Sequence, residues 1–246
     1  MKKAYLTILL LFCFAPIAQA DLVLTGVGVA TVEDFTGFEG LGLGTGVGQL
    51  DSATWSIAGF SSSSDLSRGS DDGGVGTGGV YSFDTSNSGA GEQSLGVQPG
   101  GSDFTAGSFT ASVMNNTGGD IDSFEIGYDV SVFNDQGRSN SFNFSYSTDG
   151  TTFIPVAPLD FSSPGTATGA SWNTSNLSTT IDFASPLGNG TTFFIRWTGD
   201  DVSGSGSRDE FALDNISITP LLSAIPEPSS FLMFAVTFGV LARRRK

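Results

Sequence analysis

Residues 122–134 read DSFEIGYDVSVFN. Phe124, Ile126, Tyr128, Val130 and Val132 fall at every second position, with Glu125, Asp129 and Ser131 between them. Side chains alternate across a strand, so this period gives an extended segment one apolar and one polar face; on a helix it would scatter both. A polar stretch follows, NDQGRSNS (134–141), and SFNFSYSTDGTTFIPV (141–156) then resumes the alternation with Phe142, Phe144 and Tyr146. Asp149-Gly150 tolerates positive φ and is expected to make a tight hairpin turn, with Thr151 to Val156 returning. Pro155 removes a ladder donor and confines that returning strand to an edge or an early end.

The same signal extends along the chain. TTFFIRWTG (191–199) puts Phe193, Ile195 and Trp197 on one face, and EFALDNISIT (210–219) reads as the last strand. Weaker candidates are Leu22 to Val27, Thr54 to Phe60, Val80 to Phe83, Ser94 to Val97 and Gly107 to Met114. No body segment offers ten residues of helical period. About ten short strands separated by Gly, Ser, Asn and Asp define an all-β chain, an antiparallel, jelly-roll-like β-sandwich over residues 21–220. Glycine-rich GLGLGTGVG (40–48) and SRGSDDGGVGTGG (67–79) are read as loops. The first lacks the Gly-Lys-Ser/Thr ending and following helix of a phosphate loop.

Charge is segregated. Six of the ten bases lie in the two terminal segments, so Arg68, Arg138, Arg196 and Arg208 face 24 of the 25 acids in the body, a net of −20. Nucleic acid is excluded as a partner on that balance, because binding it needs basic groups for the phosphates. There is no histidine, which removes histidine-based triads and histidine-ligated zinc. Carboxylate-only chemistry such as glycoside hydrolysis stays open. Residues 1–20, MKKAYLTILLLFCFAPIAQA, have the basic start, apolar centre and Ala-Gln-Ala end of a secretory signal peptide. The one cysteine, Cys13, lies within it, so the exported body is expected to hold neither disulfide nor cysteine-bound metal.

The end of the chain is unlike the rest. After a short linker, Leu221 to Ala224, come Pro226-Glu227-Pro228, fourteen uncharged residues (Ser229 to Ala242), and Arg243, Arg244, Arg245 and Lys246. Fourteen residues make a short hydrophobic helix, below the usual bilayer-spanning length of about 17–25. The terminal bases are expected to anchor on the cytoplasmic side. Residues 225–246 resemble the PEP-CTERM sorting signal of Gram-negative bacteria. That resemblance implies an exosortase that recognises Pro226, Glu227 and Pro228 and removes the tail. It implies transient residence in the inner membrane, then a cell-surface or extracellular location, and association with exopolysaccharide and biofilm. The stretches GQLDSATWSI (48–57), GGVYSFD (78–84), LGVQPGGSDFTAGSFT (95–110), SNSFNFSYSTDGTTF (139–153) and DDVSGSGSRDEFALDNISI (200–218) resemble a domain found beside sorting signals in exported bacterial proteins. That resemblance supports a sandwich fold rather than an activity.

Three positions stand out as candidate sites. If Ile216 and Ile218 face the core, period two puts Asp214 there too, unless a bulge intervenes. A buried carboxylate needs a cation, which Arg196, Arg208 or Ca²⁺ would supply. Carbohydrate-binding and MAM-type jelly rolls, which the chain is similar to in pattern, imply Glu33, Asp34 or Glu39 as companions of Asp214 around a structural Ca²⁺. No Asp-x-Asp-x-Asp-Gly loop is present. Trp172, in the polar stretch TGASWNTSN (168–176), has no alternating pattern to bury it and is a candidate glycan contact. Arg138, in the loop 134–141, is another, or is held in a local hydrogen-bond network. The functional expectation is an exported, non-catalytic surface or matrix protein. The alternative is a lectin-like carbohydrate-binding module.

Overall fold

The computed structural model describes residues 22–222. The strands in chain order are β1 (Val23–Leu24), β2 (Thr31–Glu33), β3 (Phe38–Gly44), β4 (Gly48–Asp51), β5 (Trp55–Ala58), β6 (Ser70–Asp71), β7 (Gly79–Phe83), β8 (Ser94–Gln98), β9 (Gly107–Asn115), β10 (Ile121–Phe133), β11 (Ser139–Ser147), β12 (Ile154–Pro155), β13 (Phe161–Ser162), β14 (Trp172–Leu187), β15 (Thr192–Ser203) and β16 (Glu210–Leu221). Most of them form two layers, and β3 and β4 pair as a separate two-stranded sheet. The first sheet has the order β1-β9-β15-β11-β12, with β5 added on β9 and β13 on β11; the second runs β14-β10-β16-β8-β7-β6, with β2 on β16. The long ladders are antiparallel, while the short pairs β1–β9, β3–β4 and β6–β7 are parallel. The chain is thus an all-β, jelly-roll-like sandwich.

The decisive stretch behaves as its pattern requires. Phe124, Ile126, Tyr128, Val130 and Val132 on β10 all enter the core, facing Phe142, Phe144 and Tyr146 of β11 and Phe193, Ile195 and Trp197 of β15. Trp197 joins the layers. Its ring lies 5.3 Å from Tyr128 of the second sheet, 5.4 Å from Phe144 and 6.2 Å from Trp55. The Tyr128 hydroxyl donates to the Leu159 carbonyl at 2.6 Å, which lets a polar atom sit at the centre without penalty.

Three expectations need correction. The glycine-rich run 40–48 is not simply a loop, since most of it forms β3 and the start of β4. A Cβ on Gly40 would lie 2.2 Å from the Gly69 carbonyl oxygen, and its φ is +68°, so glycine there permits two backbones to touch. The turn at Asp149-Gly150 is wider than a two-residue hairpin. The Asp149 carboxylate accepts from the Thr151 and Thr152 N–H groups, and only Ile154–Pro155 returns, at the sheet edge. Trp172 opens a sixteen-residue strand that the polar sequence conceals. As an edge strand, β14 pairs only with β10 and leaves many Ser, Thr and Asn side chains in water.

Candidate functional site

The β10–β16 ladder resolves the parity problem at Asp214. Gly127 pairs with Ser217 and Asp129 with Asp214, so β16 carries an extra residue there. Asn215, with φ +50°, is within that β-bulge. Leu213, Ile216 and Ile218 therefore all reach the core, while Asp214 turns to the opposite face of the sheet. It is still only 5% exposed. Its Oδ1 accepts from the Asn215 N–H at 2.8 Å; the Asn215 amide donates to Asp129 Oδ2 at 3.0 Å, and Asn176 donates to Asp129 Oδ1 at 2.9 Å. Burial pushes the Asp214 carboxyl up to about 7, against the pull of the Asn215 N–H, and the charges of Glu92 and Asp129 push it the same way.

The arginines expected to neutralise Asp214 are committed elsewhere. Arg208 Nε donates to Asp201 Oδ1 at 2.7 Å, and Arg196 Nε donates to the Thr110 hydroxyl at 2.8 Å with its guanidinium over the Phe153 ring. Glu33 lies opposite Ile216 in the β2–β16 pair, but its carboxylate accepts from the Phe35 N–H. Asp34 caps the Thr36 N–H on the exposed surface, and Glu39 is exposed on β3. Among the described residues, no group of three or more acidic, His or Cys side chains converges to hold a metal. The structure thus does not assemble Glu33, Asp34, Glu39 and Asp214 into one site.

Trp172 is buried, at 4% exposure, which corrects its reading as an open glycan platform. Its ring packs 5.0 Å from Phe83 and 5.3 Å from Phe133, and its indole N–H donates to the Asp72 carbonyl at 2.8 Å. The loop 72–75 and Asn87 cover the outer sheet face here. A polar sequence context concealed a second, smaller apolar cluster.

Arg138 pairs closely with Asp201, which Arg208 also clamps, and donates to the Gly206 carbonyl at 3.2 Å. Arginine charge holds the Asp201 carboxyl below the ordinary range. Both arginines line a cleft of about 550 Å³ with Gln98, Gln136, Gly100 and Gly206. Of its lining side chains, sequence reasoning reached Arg138 as a ligand contact and Arg208 only as a partner for Asp214. Gln98 and Gln136 come from strand and loop positions 38 residues apart, and nothing local to either shows that they meet. The cleft offers amide and guanidinium donors in a concavity, the usual form of a small-ligand site. Pro226, Glu227, Pro228 and Arg243 to Lys246 lie outside the described residues. Among the described residues, no helix is long and apolar enough to cross a membrane.

A β-sandwich body with a polar cleft is thus joined to a terminal segment of different character. Residues 224–246 match the PEP-CTERM protein-sorting motif. That motif implies a secreted precursor processed at its C-terminal end by an exosortase. No curated protein matches it. Among solved structures it is similar to the CBM22-1 xylan-binding domain of Paenibacillus barcinonensis Xyn10C, at 12% identity over 82% of this chain and 98% of that one, TM-score 0.38. It is similar to the K3 cleaved adhesin domain of Lys-gingipain from Porphyromonas gingivalis, at 11% identity over 76% and 97%, TM-score 0.39. It is also similar to the CBM28 module specific for non-crystalline cellulose, at 14% identity over 68% and 86%, TM-score 0.38. Those identities and scores are too low to transfer a ligand.

Proposed function

We propose that this protein is a non-catalytic component of the cell surface or extracellular polysaccharide matrix, delivered by its signal peptide and separated from its tail by exosortase. The observation that carries this reading is the sorting motif at 224–246 attached to a single β-sandwich body. The strongly acidic body, with no lysine between the terminal segments, suits a protein that stays dissolved in a hydrated matrix. Intact-mass spectrometry of membrane and extracellular fractions tests it. The natural chain is expected outside the cell without its tail. A variant with Pro226, Glu227 and Pro228 all changed to Ala is expected at full length in the inner membrane. Equal processing of both would overturn the reading.

The cleft beside Arg138 favours a second reading, a carbohydrate-binding module of the same matrix. A planar amide and a guanidinium group suit paired sugar hydroxyls, as at Gln136 and Arg138. On an array that includes the host's own exopolysaccharide, the processed protein is expected to bind saturably. Gln136→Ala is expected to weaken binding about tenfold, the equivalent of about 1.4 kcal/mol. Unchanged binding by that variant would remove the cleft from consideration.

A further inference from the structure

Three buried oxygens gather at the end of the sandwich where β10 finishes and β16 begins. They are Asn134 Oδ1, Asn140 Oδ1 and Asp209 Oδ2, and none has a hydrogen-bond partner. The three residues are 1%, 1% and 0% exposed. Alternation aims all three side chains inward: Asn134 follows Val132, Asn140 precedes Phe142, and Asp209 precedes Phe211, and those three apolar residues are core. Asn134 and Asp209 come from the second sheet and Asn140 from the first.

Ser163 ties them together. Its hydroxyl accepts from the Asn140 N–H at 3.1 Å and bonds to Asp209, while its own N–H donates to the Asn140 carbonyl at 2.9 Å. Asp209 Oδ1 accepts from the Gln136 N–H at 3.1 Å. The Asn134 amide nitrogen donates to the Thr166 carbonyl and the Thr168 hydroxyl, both at 3.1 Å, which fixes which atom is the inward oxygen. Arg138 and Arg208 both turn their outer nitrogens to Asp201, and Arg138 Nε is buried without a partner. Burial pushes the Asp209 carboxyl up, and the negative charge of Asp135 nearby adds to it.

A buried oxygen with no partner is unfavourable, since it loses water and gains nothing. A proton on Asp209 would serve only one of them. A hard cation serves all three, and amide and carboxylate oxygens are the ligands of Ca²⁺, which tolerates mixed and irregular shells. Mg²⁺ is smaller and demands near-ideal octahedral geometry, so it suits an irregular set of oxygens less well. A cleft of about 340 Å³, lined by Asn134, Val132, Phe161, Pro164 and Thr168, borders the Asn134 side of the site.

We infer that Asn134, Asn140 and Asp209 form a buried Ca²⁺ site that ties the two sheets together at the end of the sandwich remote from residue 222. Calorimetric titration of the EDTA-treated, processed protein with CaCl2 is expected to show one ion per chain. Melting temperature is expected to rise by about 5 °C or more at a hundredfold excess over Kd, with a smaller response to MgCl2. Asp209→Asn is expected to abolish the response, and Asp214→Asn to retain it. Asn140→Asp, which adds a charged ligand, is expected to enlarge the difference between calcium-loaded and EDTA-treated protein. It decides the matter if Asp209→Asn does not fold. The inference is overturned by a natural protein indifferent to CaCl2 and EDTA, as a neutral Asp209 would give. It is overturned equally by a response that survives in Asp209→Asn, vanishes in Asp214→Asn, or is unchanged in Asn140→Asp.

Discussion

Changing Trp197 to alanine is expected to cost the body about 3–5 kcal/mol, the usual range for deleting a large buried aromatic side chain. Trp197 is fully buried and touches aromatic rings from both layers. Its cross-strand neighbours are Phe144 of β11 on one side and Phe109 of β9 on the other. The space it leaves cannot close without moving two sheets whose ladders fix their backbones, so most of the cavity cost remains. In a domain of this size, melting temperature should fall by about 10 °C or more. Trp197→Phe should lose markedly less. Urea unfolding of the two variants beside the natural protein gives the comparison, and a loss below about 1 kcal/mol for Trp197→Ala would contradict the packing described.

Stability is expected to fall as pH rises from 5 to 8, the reverse of the usual acid sensitivity. The sign follows from Asp214, whose carboxyl is raised in the folded protein from its ordinary value of 3.8 to about 7. Between those values the folded state holds more protons than the unfolded state, so the free energy of unfolding decreases with pH. The stabilisation is complete below the unfolded value and is lost as pH passes through the folded one. Each tenfold gain in proton affinity on folding is worth about 1.36 kcal/mol, so the full effect is on the order of 2–4 kcal/mol. Glu210, 1% exposed and raised by burial to about 7, acts in the same direction. Asp149 and Asp201, held low by backbone amides and by arginines respectively, oppose it only below the ordinary carboxylate range. Thermal melts in EDTA should show the slope, and Asp214→Asn should reduce it by roughly half while Glu210 maintains the rest. An Asp214→Asn slope equal to that of the natural protein would mean that Asp214 ionises normally.

What the sequence disclosed and what it hid have separate physical causes. Strands buried on one face and wet on the other announce themselves by period two, and β10, β11 and β15 were readable residue by residue. Asp214 was legible as a conflict of parity. Which of bulge, arginine or cation resolves it depends on pairing with β10, and register is not written in one strand alone. β14 was hidden because an edge strand in contact with water needs no apolar face, and Trp172 was misread with it. The arginines were visible, but their common partner Asp201 was not, since that choice is made by loops meeting in space. The oxygens of Asn134, Asn140 and Asp209 lie in stretches dominated by turn-forming residues. Only the assembled layers show that they are buried without partners.

The position of β16 has a consequence for the life history of the chain. This last strand lies inside the second sheet, between β10 and β8, and it also holds β2. Near its end the Pro220 carbonyl accepts from the Gly28 N–H at 2.8 Å. The second sheet therefore cannot close until β16 and residues 28–33 are on the same side of the membrane. Nearly all of the polypeptide must be threaded across before its body can assemble. Transport and assembly are thereby placed in a fixed order, set by which strand completes the layer.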